Sequence, residues 1–237
     1  MLCKEHEQKL KETSETFSSR WPPNLHGVTG VRVGQLNWPT GKELIFLRIN
    51  DPIEVQAAKL LNIQPHHKVL EVGFGPGVGL KEALGYIGKD DPGKVYGLEL
   101  SPHMVHVATK RLQPYIASGK LQLTVGDAVN LPYPDGSMDR IFHVNCFYFW
   151  DDLHQGCREL YRVLSPGGAV ASTMNRTIVE KSVDGGLNMY ARQTDPAEYM
   201  KALDMAGFVG IKEEEFGEGR SKIYGYTASK EGEDRKD

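Results

Sequence analysis

Short apolar runs alternate with amphipathic stretches along most of this chain, and the alternation predicts its elements. Lys68 to Gly73, Lys94 to Leu100, Leu121 to Val125, Met138 to Asn145 and Gly168 to Met174 read as strands. Between them, Gly79 to Tyr86, Pro102 to Leu112 and Asp152 to Val163 carry helical spacing. Upstream, Asp51-Pro52-Ile-Glu54 opens a helix expected to reach about Leu61: Asp51 caps, Pro52 suits the first turn and Glu54 completes a capping box. Downstream, Pro196 to Met205 is helical, while Phe208 to Phe216 and Lys222 to Ser229 are strands joined through Gly217-Glu-Gly219 as a hairpin. Strands that are continuously apolar and lead into helices belong to a parallel sheet covered on both faces. The predicted fold is therefore α/β: a doubly wound, mostly parallel sheet of seven strands, with an antiparallel edge strand from the C-terminal hairpin. Residues 51–229 form the expected domain, 1–50 an N-terminal extension, and 230–237 a disordered charged tail. Within the extension, Trp21 to Pro39 is rich in Gly, Pro and aromatics and reads as an irregular segment lying against something.

Composition narrows the function. Across 237 residues, 28 Lys and Arg face 31 Asp and Glu, a net charge of −3 that argues against a dedicated nucleic-acid binder. Three cysteines, Cys3, Cys146 and Cys157, form no CxxC pair and suit a reducing compartment, so a cytoplasmic location is expected. The first residues are polar, unlike a signal peptide, and no apolar run approaches the roughly 20 residues of a membrane helix. The eight histidines form no metal set: His66 and His67 are adjacent in a turn, and His103 and His106 share a helix without Cys or a carboxylate pair. Glycine is the excess, at 26 residues.

Where the glycines fall is informative. Val69-Leu-Glu71-Val-Gly73-Phe-Gly75-Pro-Gly77-Val-Gly79 follows a predicted strand and leads into a predicted helix. Such a loop lets backbone approach a ligand without a Cβ in the way. The dinucleotide pattern G-x-G-x-x-G is not met, because its third glycine falls on Val78 or Leu80. That disfavours a nicotinamide-dependent oxidoreductase. Glu99 closes the next strand, where a carboxylate can accept both hydroxyls of a ribose. Together these point to a cofactor of nucleoside type.

At this point the chain resembles the class I S-adenosylmethionine-dependent methyltransferases of the ubiquinone-type, or methyltransferase type 11, group, which have a Rossmann-like fold. Val69 to Gly77 looks like their first motif. Gly126-Asp127-Ala128 followed by Leu131-Pro-Tyr-Pro-Asp135 resembles their G-D-A … L-P-F segment. Ser137 to Asn145 resembles the fourth-strand motif, and Glu159-Leu-Tyr-Arg-Val-Leu-Ser-Pro-Gly-Gly168 the helix-to-fifth-strand signature. The resemblance implies S-adenosylmethionine as cofactor and S-adenosylhomocysteine as product. It implies that Gly73, Gly75 and Gly77 admit the cofactor, that Glu71 meets its ammonium, and that Glu99 and Leu100 meet its ribose. Asp127 and Ala128 would then read the adenine, Met104 would pack on it, and His143 and Asn145 would touch the amino-acid end.

Methyl transfer from a sulfonium is an in-line displacement, so the protein mainly orients and excludes water. A general base is needed only for an acceptor that arrives protonated. The catalytic candidates are His143 and Tyr148, although a histidine at a strand end, as His143 is, is more often structural. The run Cys146-Phe-Tyr148-Phe-Trp150 offers an apolar, cation-π surface for an acceptor, or a stretch of core. Trp21, Trp38 and Tyr190 come from segments that cover the pocket in this family, so Trp21 and Trp38 join Tyr148 and Trp150 as substrate candidates. No Asn-Pro-Pro-Tyr motif follows the fourth strand, which disfavours nucleic-acid bases as acceptors. The expected partner is a small-molecule acceptor, met by a monomer or homodimer. A cofactor-binding protein without turnover and a protein methyltransferase are the alternatives.

Overall fold

The computed structural model describes residues 52–177, 179–180, 193–219 and 222–232. Seven strands are present: β1 (Lys68–Val72), β2 (Lys94–Glu99), β3 (Leu121–Val125), β4 (Met138–Val144), β5 (Leu164–Met174), β6 (Val209–Phe216) and β7 (Ile223–Ser229). The helices include α1 (52–60), α2 (Val78–Gly85), α3 (Pro102–Arg111), α4 (Gln113–Ala117), α5 (Leu153–Val163) and α6 (Pro196–Ala206), with a 3-10 turn at Phe147–Phe149. The sheet order is β3-β2-β1-β4-β5-β7-β6. The first five strands pair in parallel, and β7 runs antiparallel to both β5 and β6. The C-terminal hairpin is as expected, with one refinement: β7 inserts next to β5, which leaves β6 at the edge. The alternation in β6, VGIKEEEF, puts most of its side chains in water, as suits an edge.

Central strands are buried on both faces, so successive residues feed opposite layers. Val69 joins Ile53, Ala57, Leu80, Ala83, Val105 and Ala108 beneath α1, α2 and α3. Its neighbour Leu70 joins Ile141, Leu160, Val163, Tyr199 and Leu203 beneath α5 and α6. The winding reverses between β1 and β4, and in open sheets of this kind ligands bind at such a switch point, beyond the carboxyl ends of the strands. Helix α1 is fixed to the same region at both ends: Thr173 Oγ1 of β5 donates to Ile53 O at 3.0 Å, and Arg140 Nε to Leu61 O at 2.9 Å.

Two expectations change. The charged tail does not begin at Lys230. Its Nζ donates to Tyr161 O at 2.9 Å and Leu164 O at 2.8 Å, and its backbone pairs with Gly167 and Gly168, which clamps the α5–β5 joint. Strand β5 starts at Leu164 rather than Gly168, because Met138 of β4 pairs with Leu164 ahead of a register shift. The extension 1–50 and the Asp51 cap lie outside the described residues.

Candidate active site

The chain leaves β1 at Val72 and turns through Gly73, Gly75 and Gly77, each with positive φ. Gly73 is required by space: a Cβ there would stand 2.5 Å from Cys146 Sγ. Gly75 is the opposite case, with φ 49 and no atom within 4 Å of where a Cβ would be. Its surroundings are open while its backbone N–H is engaged, donating to Glu99 Oε2 at 3.0 Å. Gly77 caps α2 and packs against Leu112 and Ala108 of the α3 layer.

Glu99 is half-buried at the end of β2 and bridges two loops, since its Oε1 also accepts from Ser101 N at 2.9 Å. Burial raises its pKa, and the amides of Ser101 and Gly75 counter that shift. Ser101 caps α3 through Met104 N at 3.4 Å, which sets half-buried Met104 in the first turn; Leu100 is half-buried beside it. Past β3, Asp127 Oδ1 accepts from Val129 N at 3.1 Å, and burial pushes its carboxyl above the usual range. Ala128 is buried next to it. Thus Glu99, Leu100, Met104, Asp127 and Ala128 share one end of the sheet.

Three further groups gather at the switch point. Glu71 is 1% exposed, and neither of its carboxylate oxygens has a hydrogen-bond partner in the described structure. Burial, then the neighbouring Glu54, drives its pKa well above the ordinary value. Asn145 holds φ 48, uncommon for a residue with a side chain, and its Oδ1 is buried without a partner. Cys146 lies against Gly73; its Sγ accepts from Trp150 Nε1 at 3.2 Å and its thiol is pushed up to about 12 by burial. Sequence reasoning did not single out Glu54 as a site residue, and it took Cys146 only as the start of the run to Trp150. An open glycine loop, a bridged carboxylate and buried unpartnered acceptors suit a nucleoside that ends in a cationic amino acid.

The acceptor side departs from expectation. His143 is fully buried, with Nε2 2.8 Å from Tyr199 Oη and Nδ1 3.2 Å from Ser172 Oγ. Burial lowers its pKa to about 3, so the ring is a neutral member of the core and not a base at the pocket. Tyr148 is 2% exposed and its hydroxyl is pushed upward by burial, which removes it as a base. Trp150 packs at 5.0 Å on the His143 ring and presses on α5, where a Cβ at Gly156 would stand 2.4 Å from its ring. The run Cys146 to Trp150 is therefore chiefly core, with Phe149 half-buried. Trp21, Trp38 and Tyr190 lie outside the described residues.

Residues 70–172 match the family described as "Methyltransferase domain". The chain also resembles an uncharacterized methyltransferase of Bacillus subtilis, 32% identical over 114 residues, covering 48% of this chain and 59% of that protein. It is also 36% identical over 105 residues to a chloroplastic 2-methyl-6-phytyl-1,4-hydroquinone methyltransferase of Oryza sativa, covering 44% of this chain and 30% of that one. This stretch resembles the class I S-adenosylmethionine-dependent methyltransferases. It spans only part of the length of these relatives. The fold agrees: one chain of a complex between the Haloferax volcanii Trm112 methyltransferase activator and a methyltransferase superposes with a TM-score of 0.67 at 19% identity, covering 81% of this chain and 95% of that one. In this methyltransferase domain the Glu159 … Arg162 signature acts as a clamp. Glu159 Oε2 accepts from Leu131 N at 2.8 Å, while Arg162 donates to Leu131 O, Tyr133 O and Asp135, and that pins the loop after Asp127. The Arg162 guanidinium holds the Glu159 carboxyl below its usual range.

Proposed function

We propose that this methyltransferase domain transfers a methyl group from S-adenosylmethionine to a small-molecule acceptor in the cytoplasm, releasing S-adenosylhomocysteine. The cofactor supplies a methyl group on a sulfonium, whose departing thioether needs no proton. The work of the chain is to bind, orient and exclude water. Glu99 would accept from the ribose, Asp127, Ala128 and Met104 would hold the adenine, and Glu71 and Asn145 would take the amino-acid end. The observation that carries the reading is Glu99: a carboxylate held by two loop amides beside open space at Gly75 is preset for a diol. His143 within β4 and Tyr148 after it belong to the core. That favours an acceptor arriving as a free nucleophile, such as a neutral amine, a thiolate or an ionised phenol or enol. The rice relative, named for a hydroquinone, is consistent with an aromatic small molecule. Residues 1–50, with Trp21 and Trp38, cover the acceptor in this reading.

Calorimetry with S-adenosylhomocysteine tests it. Glu99→Ala should weaken binding about 10- to 100-fold, as expected for losing hydrogen bonds to a charged group, and Glu99→Gln should retain part of the affinity. Equal affinities for wild type and Glu99→Ala would sink the assignment. The buried His143 also favours a second reading, a cofactor-binding protein without turnover. Formation of S-adenosylhomocysteine with a pool of candidate acceptors, proteins included, separates the two.

A further inference from the structure

The glycine loop after β1 does little to fix its own shape. Within it Gly77 N donates back to Phe74 O at 2.8 Å, and Gly75 and Gly77, both with positive φ, flank Pro76. Glycine restricts a backbone least, and nothing stands within 4 Å of a Cβ at Gly75, so the loop takes its conformation from its surroundings. Much of that support comes from one continuous segment, β2 and α3. Leu98 O accepts from Gly73 N at 2.7 Å, and Glu99 Oε2 accepts from Gly75 N at 3.0 Å. A Cβ at Gly77 would stand 3.0 Å from Leu112 and 3.3 Å from Ala108. Arg111, the last residue of α3, adds a charged donor: its Nη1 lies 2.5 Å from Pro76 O.

Arg111 is exposed and belongs to none of the motifs that resemble the methyltransferases. An exposed arginine is ordinarily solvated and adds little to stability. Here it reaches a carbonyl 35 residues away in sequence. Pro76 has no N–H, so that carbonyl is the one backbone hydrogen-bonding group the residue offers. The contacts close a ring. Arg111 ends the helix that Ser101 caps, Ser101 N donates to Glu99 Oε1, Glu99 Oε2 accepts from Gly75 N, and Gly75 precedes Pro76. Releasing Pro76 on one side of this ring frees the Gly75 amide to leave Glu99 on the other.

We infer that Arg111 is a positioning residue for the nucleoside of the cofactor: by holding Pro76 it keeps the Gly75 amide on Glu99 and so fixes the carboxylate that receives the ribose. The inference rests on the proposed function and adds to it a residue that touches neither ribose nor adenine. Arg111 acts before the ligand arrives, by reducing the loop conformations that binding must order.

Titration calorimetry of the full chain tests it, with S-adenosylhomocysteine and with 5′-methylthioadenosine, which keeps the nucleoside and thioether but lacks the amino acid. Arg111→Met retains the aliphatic stem and removes the donor. It should weaken both ligands by the same factor, about three- to tenfold, while the melting temperature of the ligand-free protein is unchanged. Arg111→Lys, which keeps a cationic donor, should recover part of the loss. The decisive measurement is the double variant: because Arg111 acts through Glu99, adding Arg111→Met to Glu99→Ala should cost no further affinity. Additive losses, or an unchanged affinity in Arg111→Met, overturn the inference and leave the proposed function standing. If the wild type binds neither ligand, or Glu99→Ala binds as the wild type does, the proposed function falls and the inference with it. Should Arg111→Met fail to fold, Arg111→Lys carries the same cycle with Glu99→Ala.

Discussion

His143 occupies a layer built from Phe147, Trp150 and Tyr199, and this position governs its chemistry more than its place at a strand end does. Its folded pKa of about 3 lies below the ordinary 6.5, so the unfolded chain binds the extra proton between those values. Stability from this group is therefore fully present above about pH 6.5 and is lost as pH falls towards 3. The expected loss between pH 7 and pH 5 is about 2 kcal/mol. Urea unfolding at the two pH values checks it, and His143→Gln should remove most of this acid-side slope; an unchanged slope would mean the ring is not desolvated. Glu71 has the opposite sign. Its raised folded pKa means that its contribution to stability is greatest below its unfolded pKa, near 4.5, and is lost as pH rises through the folded value. Glu71→Gln should accordingly raise the melting temperature of the ligand-free protein in alkaline buffer while weakening S-adenosylhomocysteine. A lower melting temperature would show that the charged carboxylate is satisfied without ligand.

The functional unit at the next scale is strand, glycine loop and helix. β1 delivers Glu71, the loop presents backbone, and α2 begins at Gly77 with its first turn on the α3 layer. Gly75 tests the loop separately from the packing. Because nothing lies within 4 Å of its Cβ position, the cost of Gly75→Val to the fold is chiefly the strain of a left-handed residue, on the order of 1–2 kcal/mol. The fold should survive while binding of S-adenosylhomocysteine falls below detection. Unchanged affinity in a folded variant would move the cofactor away from the loop. The 3-10 turn at Phe147–Phe149 shows where local patterning fails: an aromatic run past a strand has the same composition whether it lines a pocket or fills a core. Here α5 and α6 close over it, and stacking of Phe147 on Tyr199 at 4.5 Å takes it inward.

Across the whole molecule, the sheet order decides which loops meet. Residues 71–75, 99–104, 127–128 and 145–146 come together because β1 lies between β2 and β4 and the winding reverses there. No strand from residues 1–39 is needed to complete this seven-stranded sheet, which leaves that segment available as a cover. Deleting residues 1–39 should abolish turnover with an identified acceptor while changing affinity for S-adenosylhomocysteine by less than about tenfold. Full activity in the truncated protein would remove the lid and favour an open site for a larger acceptor. Hydrophobic period and turn residues determined, without reference to the fold, the seven strands and the main helices, since burial on both faces of a strand and on one face of a helix leaves a local record. They also determined the acids at strand ends, because a glycine loop followed by a terminal carboxylate is a contiguous motif. The tertiary structure alone decided which side of the sheet His143, Tyr148 and Trp150 enter, that β7 inserts before β6, and that Glu54 of α1 meets Glu71 of β1. Those outcomes depend on contacts between residues distant in sequence, and a one-dimensional pattern holds no information about which distant side chain fills a given space.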